Sequence, residues 1–192
     1  MEQIRSFIAI ELPDEVKSAL AQLQAQLKTG KQLPVKWADP YSIHLTLKFL
    51  GNIDVNKIRE ITGAIEAAAQ GISPFHLEVK DLGVFPNFKR TRVVWVGVSG
   101  EVAQLSQLQQ RIESNLAPLG FAPESRSFTP HLTLARVRER ASPDEQQSFG
   151  QLIASTKFET VYGFGVDAIS LMRSELTREG AIYSRIRSVK LK

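Results

Sequence analysis

Two of the three histidines in this 192-residue chain open the same four residues. His44-Leu45-Thr46-Leu47 and His131-Leu132-Thr133-Leu134 are identical, and the second begins 87 residues after the first. The alternation within each copy spells a strand, where successive side chains point to opposite faces. The leucines then go to one face, and histidine and threonine share the other. Two such strands facing each other present two imidazoles and two hydroxyls to one cleft. That is enough for acid–base work on a phosphate ester without a metal. One imidazole takes a proton from the nucleophile, the other gives one to the leaving group, and the hydroxyls hold phosphate oxygens. A lone histidine in an apolar strand is ordinarily structural. Core packing accounts for repeated leucines, but not for a repeated His-x-Thr on the opposite face.

The rest of the composition narrows the class. With 43% hydrophobic and 23% charged residues the chain has an ordinary globular make-up and the length for a sizeable core. It has no cysteine, which excludes disulfides, thiol catalysis and thiolate metal sites. The opening residues keep Glu2, Arg5 and Glu11 around a short apolar run, so no secretion signal is expected. No stretch approaches membrane-spanning length, and a cytoplasmic location is the default. A net charge of +4 suits an anionic partner without demanding one.

In chain order, Arg5–Ile10 forms a first buried strand. Pro13-Asp14-Glu15 starts a helix with the stripe Val16, Leu20, Leu23 and Leu27, and Gly30 stops it. Val35-Lys36-Trp37 is short and extended, and Asp39-Pro40 turns. The first motif strand is Ile43–Leu50, closed by Gly51-Asn52. Asp54 caps a second helix carrying Ile58, Ile61 and Ile65. A strand through Phe75, Leu77 and Val79 follows, within an alternating run to Phe85. His76 falls on its outward face, lacks the His-x-Thr frame and is structural. Pro86–Thr91 is a basic loop. Val93–Val98 is an unbroken apolar run, expected to be buried on both faces. Glu101 begins a third helix with Val102, Leu105, Leu108, Ile112 and Leu116, ended by Pro118 and Gly120. The second motif strand is Pro130–Val137. Pro143 starts a fourth helix with Phe149, Leu152 and Ile153. Lys157–Tyr162, Val166–Met172 and Ala181–Val189 are strands, with Arg173–Glu179 a polar loop and Gly180 a turn.

The elements alternate without a strict βαβ rhythm, which favours α+β with antiparallel sheets. Strand, helix, motif strand and helix recur in each half. Two similar lobes are therefore expected, with one motif strand from each at the seam. No clean boundary falls between residues 72 and 120, so 1–192 is expected to be one domain of two interleaved lobes.

With both motifs in hand, the chain resembles the 2H phosphoesterases, in their RNA 2′,3′-cyclic phosphodiesterase (2′-5′ RNA ligase-like) branch. The resemblance covers nearly the whole chain. Arg5-x-Phe7-Ile8-Ala9-Ile10 is similar to the opening strand. Trp37 followed by His44–Gly51 resembles the first motif block. Phe85-Pro86 through Arg92–Gly97 resembles the middle block, Phe128–Arg136 the second motif block, and Gly180 with Tyr183 the closing hairpin. The resemblance implies a bilobal, pseudo-two-fold α+β fold with antiparallel sheets, outer helices and the active-site cleft between lobes. It implies no metal or other cofactor. It further implies His44 as proton donor, His131 as proton acceptor, and Thr46, Thr133 and Arg136 as phosphate contacts. Strict alternation puts Arg136 on the leucine face, so it needs a bulge or strand end to reach the cleft.

The expected reaction is hydrolysis of a 2′,3′-cyclic phosphate on RNA or a nucleotide to a 2′-phosphate, with 2′-5′ ligation as its reverse. No protein partner is evident. Alternatives are a 2H enzyme acting on 2′-5′ oligonucleotides or another small cyclic phosphate, and a catalytically idle RNA-end binder. The binder needs Lys48, Lys89, Arg90, Arg92, Arg126 and Arg138 on one rim, with Phe7, Phe49, Phe88 or Phe128 as a base platform.

Overall fold

The computed structural model describes residues 2–28, 34–159, 162–178 and 180–192. Nine strands and four α-helices are formed among them. The strands are β1 (Gln3–Glu11), β2 (Val35–Trp37), β3 (His44–Asp54), β4 (Phe75–Phe85), β5 (Val93–Gly100), β6 (His131–Val137), β7 (Tyr162–Val166), β8 (Ala168–Leu176) and β9 (Ala181–Lys190). The helices are α1 (Asp14–Leu27), α2 (Ile58–Ala69), α3 (Val102–Leu116) and α4 (Pro143–Ser155). All strand pairings are antiparallel.

Two sheets result, ordered β3-β1-β8-β9 and β2-β6-β5-β4-β7. Setting β2 aside, the orders superpose as β3 on β6, β1 on β5, β8 on β4 and β9 on β7. This is the expected pseudo-two-fold arrangement. The chain crosses between the sheets: β2 joins the sheet of β6, and the C-terminal β8 and β9 join the sheet of β1. Each motif strand lies beside the first strand of its own half, and β3 and β6 approach each other across the seam.

The helices form where the sequence patterns demand. Val16, Leu20, Leu23 and Leu27 of α1 are buried, as are Leu105, Leu108, Ile112 and Leu116 of α3. Ser142 caps α4 in a capping box with Glu145, and Pro143 occupies the first turn. The leucine faces of both motif strands join one continuous core, where Leu45, Leu132 and Leu134 are fully buried.

Several expectations shift. β3 does not close at Gly51-Asn52 but pairs on to Asp54, opposite Gln3. Gly51 has φ 70°, the backbone freedom that lets the strand bend there and continue. Asp54 caps a short 3-10 turn, Val55–Lys57, which leads into α2. In β5 only Val94 and Val96 are fully buried, while Val93, Trp95 and Gly97 line the opposite, half-open face. That face belongs to the cleft, so an unbroken apolar run there is not a doubly buried strand. Lys157–Glu159 is not a strand; pairing begins at Tyr162. β8 continues through Arg173–Leu176, because Ser174 and Glu175 pair with Tyr183 and Ile182. Gly30, Thr160, Val161 and Glu179 lie outside the described residues.

Candidate active site

Each motif strand carries the same device. Beside β1, the register of β3 passes over Leu47: Ala9 faces Thr46 and Ile8 faces Lys48. Beside β5, the register of β6 passes over Leu134: Trp95 faces Thr133 and Val94 faces Ala135. Both skips are β-bulges, in which one extra residue reverses the phase of the alternation. Two consecutive residues are therefore buried, Leu47 with Lys48 and Leu134 with Ala135. The next residue returns to the cleft face. That residue is Phe49 in β3 and Arg136 in β6, and both are exposed. Arg136 thus shares a face with His131 and Thr133, as its expected role requires.

The imidazoles are clamped alike. His44 Nδ1 lies 2.9 Å from the Ser42 carbonyl oxygen, and His131 Nδ1 lies 2.7 Å from that of Thr129. A carbonyl only accepts, so each Nδ1 carries the proton and donates. Each Nε2 is then the titrating atom, a base when bare and an acid when protonated.

The surroundings differ. His44 stacks on Phe7 at 4.5 Å between centroids and meets the Tyr183 edge at 4.9 Å. Burial in this aromatic seat lowers its pKa below the ordinary histidine value; the Ser42 carbonyl and the charge of Glu11 act in the opposite sense. Glu11 is the direct cross-strand partner of His44. Its carboxylate accepts from Ser170 at 2.6 Å and from Arg185 at 2.7 and 3.1 Å. Burial alone raises the Glu11 pKa, but these hydrogen bonds and the Arg185 charge outweigh it and hold the carboxyl below its usual range. His131 instead meets the edge of Phe85 at 5.1 Å and tilts against Trp95 at 6.4 Å. Its cross-strand partner is Gly97, which brings no charge. The Trp95 indole lies across Gly83, where a Cβ would fall 2.2 Å from the ring.

Sequence reasoning missed the supports behind the bulges. Gln24 of α1 donates from Nε2 to the Leu134 carbonyl at 3.2 Å and the Ala38 carbonyl at 2.8 Å. Lys48, buried beside the other bulge, donates to Glu113 of α3 at 2.6 Å and to the Ala122 carbonyl at 2.9 Å. Aligning Leu20 and Leu23 of α1 near Gln109 and Ile112 of α3 brings Gln24 onto Glu113. Equivalent helix positions thus brace the two motif strands, each from the other half of the chain. The signal lay in the sequence, as a polar residue inside each apolar stripe. Lys48 accordingly cannot belong to the basic rim expected of an RNA-end binder, whereas Lys89, Arg90, Arg92, Arg126 and Arg138 are exposed. Phe7 is buried under His44, while Phe49 and Phe88 are exposed. His76 is exposed on β4, away from both motifs.

A sheet from each half, with a clamped His-x-Thr strand in each, is the architecture of a two-histidine phosphoesterase. Comparison with known proteins agrees. The family described as LigT like Phosphoesterase matches the chain twice, over residues 10–95 and 96–183. The chain belongs to that family. It is 34% identical to the RNA 2′,3′-cyclic phosphodiesterase of Methanothermobacter thermautotrophicus over 95% of this chain and 96% of that protein. It is 33% identical to the same-named protein of Thermotoga maritima, over 94% and 91%. The crystal structure of E. coli LigT complexed with 3′-AMP superposes with a TM-score of 0.80 at 25% identity, covering 100% of this chain and 99% of that one.

Proposed function

We propose that the protein hydrolyses the 2′,3′-cyclic phosphate at an RNA or nucleotide end to a 2′-phosphate, using His44 and His131. The observation that carries this reading is the shared clamp, which leaves Nε2 as the reactive nitrogen of both rings. The names of the relatives support the substrate class.

In this reading His131, neutral, takes a proton from water through Nε2. The water attacks phosphorus in line with the 3′-oxygen. His44, protonated, gives its Nε2 proton to that oxygen as the P–O bond breaks. The product is a 2′-phosphate, and the protons exchanged with solvent balance. Thr46, Thr133 and Arg136 hold the phosphate oxygens and stabilise the charge that builds on them. A donor needs its proton, yet burial favours neutral His44. The anionic phosphate, once bound, works against that burial and draws the proton back. Phe49, exposed beside Phe7 on the His44 side, offers a face for the base of the nucleotide. Run backwards, the same steps join a cyclic phosphate to a 5′-hydroxyl; in water, hydrolysis dominates. No described helix is long and apolar enough to cross a membrane, and we assign the protein to the cytoplasm, acting on RNA ends as one two-lobed domain without a protein partner.

The test is hydrolysis of a nucleoside 2′,3′-cyclic phosphate with a chelator present, resolving 2′- from 3′-phosphate. A 2′-phosphate is expected. A 3′-phosphate reverses the direction of attack and the two proton roles. No turnover on mononucleotide or oligonucleotide overturns the reading. Activity abolished by the chelator moves the chemistry to a metal.

A further inference from the structure

The edge strand β2 places a second cation beside Arg136. In the register of β2 against β6, Lys36 is the direct partner of Arg136, between the pairs Val35–Val137 and Trp37–Ala135. Directly opposed residues of an antiparallel pair project from the same face. The flanking Val35, Val137 and Ala135 are buried, so Lys36 and Arg136 stand together on the opposite face, which carries His131 and Thr133. Both are exposed.

Like charges directly opposed across a strand pair destabilise it. Three cations elsewhere have carboxylate partners: Lys48 has Glu113, Arg173 has Glu175 and Arg185 has Glu11. Neither Lys36 nor Arg136 has an ion-pair partner among the described residues. On the other flank of Arg136 stands Val93 of β5, which offers no carboxylate. The exposed pair is open to an anion from outside. The pair lies about two strand steps, roughly 7 Å, beyond Thr133. That is outward from the motif, toward the edge strand of the sheet.

We propose that Lys36, beside Arg136 and farther out than it, forms a second phosphate subsite that takes the phosphodiester preceding the cyclic end, while Arg136 stays with the cyclic phosphate. The preferred substrate is then an RNA strand rather than a mononucleotide. This rests on the cyclic-phosphate reading above.

The experiment compares a ribonucleoside 2′,3′-cyclic phosphate with a tetraribonucleotide of the same base ending in the same group. In Lys36→Gln, kcat/KM on the tetranucleotide should fall on the order of tenfold more than on the mononucleotide. Its dependence on salt, plotted as log against log, should become shallower by about 0.7, because one phosphate of the strand is no longer neutralised. Lys36→Arg should restore both. Lys157→Gln, which removes an exposed charge paired with Glu159, should change neither. Equal losses on both substrates, or no loss on either, overturn the second subsite while the cyclic-phosphate reading stands. A parent enzyme that turns over neither substrate overturns both.

Discussion

The two motif strands share a backbone and differ in what surrounds it. In both, a carbonyl two residues upstream holds Nδ1, a bulge follows the threonine, and a helix position from the other half braces the bulge. Around this frame the halves diverge. His44 sits in an aromatic seat with a charged carboxylate opposite, and Phe49 follows its bulge. His131 has glycine opposite, tryptophan beneath and Arg136 after its bulge. The repeat fixes where two imidazoles point. The unrepeated residues give the two imidazoles different surroundings, an aromatic side at His44 and a cationic side at His131.

The largest effect expected from breaking this comparison is at the rings themselves. His44→Ala and His131→Ala should each lower kcat by about 10²–10⁴-fold on a cyclic phosphate. Because the two act as a unit, the double variant should be little worse than either single one. Steady-state kinetics on the three variants checks this. A single variant with parental activity would break the pairing, and additive losses would mean two independent roles.

The braces should separate next, in stability. Glu113→Leu leaves Lys48 buried with only the Ala122 carbonyl, and breaking such a pair costs about 3–5 kcal/mol. Gln24→Leu removes a neutral donor. The Leu134 carbonyl keeps the bond from the Ala38 amide, so only the Ala38 carbonyl is orphaned, at about 1–2 kcal/mol. Urea unfolding of both variants measures the difference. Equal losses would mean that the charge in one brace adds nothing.

A smaller effect separates the floors under the two rings. Gly83→Ala drives a methyl into the Trp95 indole, which must shift and carry His131 with it. We expect kcat to fall roughly ten- to a hundredfold, the cost of an ångström-scale misplacement. The His44 side has Ala9 where Trp95 stands, so its geometry should hold. Ring-nitrogen NMR of both histidines separates the sides. A change at His44 rather than His131 would overturn the role given to Trp95.

Much of this was legible in the chain itself. The repeated tetrapeptide marked the motif strands, the apolar stripes marked the helices, and the recurrence of elements pointed to the two lobes. Arg136 could be placed at the site only by supposing a bulge, and one is there. What escaped depends on long-range pairing. β8 runs on through polar Arg173–Leu176 because β9 supplies its partners, which no local pattern reveals. Lys48 counted as a surface cation from its type, yet the bulge turns it inward onto Glu113, 65 residues away. β5 looked doubly buried because a cleft lined by Val93 and Trp95 is as apolar in sequence as a core.

The finest distinction between the halves is the charge opposite each ring, and pH resolves it. His44 must be protonated to act as donor, so kcat/KM should fall as pH rises through its free-enzyme pKa. Burial sets that pKa below the ordinary histidine value. The Glu11 charge holds it up. Glu11→Gln removes that support, which disfavours the imidazolium. The limb of kcat/KM that His44 sets should therefore move to lower pH. The corresponding limb of kcat should lie higher than that of kcat/KM in both proteins, since the bound phosphate anion stabilises the same imidazolium. No movement of the profile would confine Glu11 to holding β9 against β1 through Arg185.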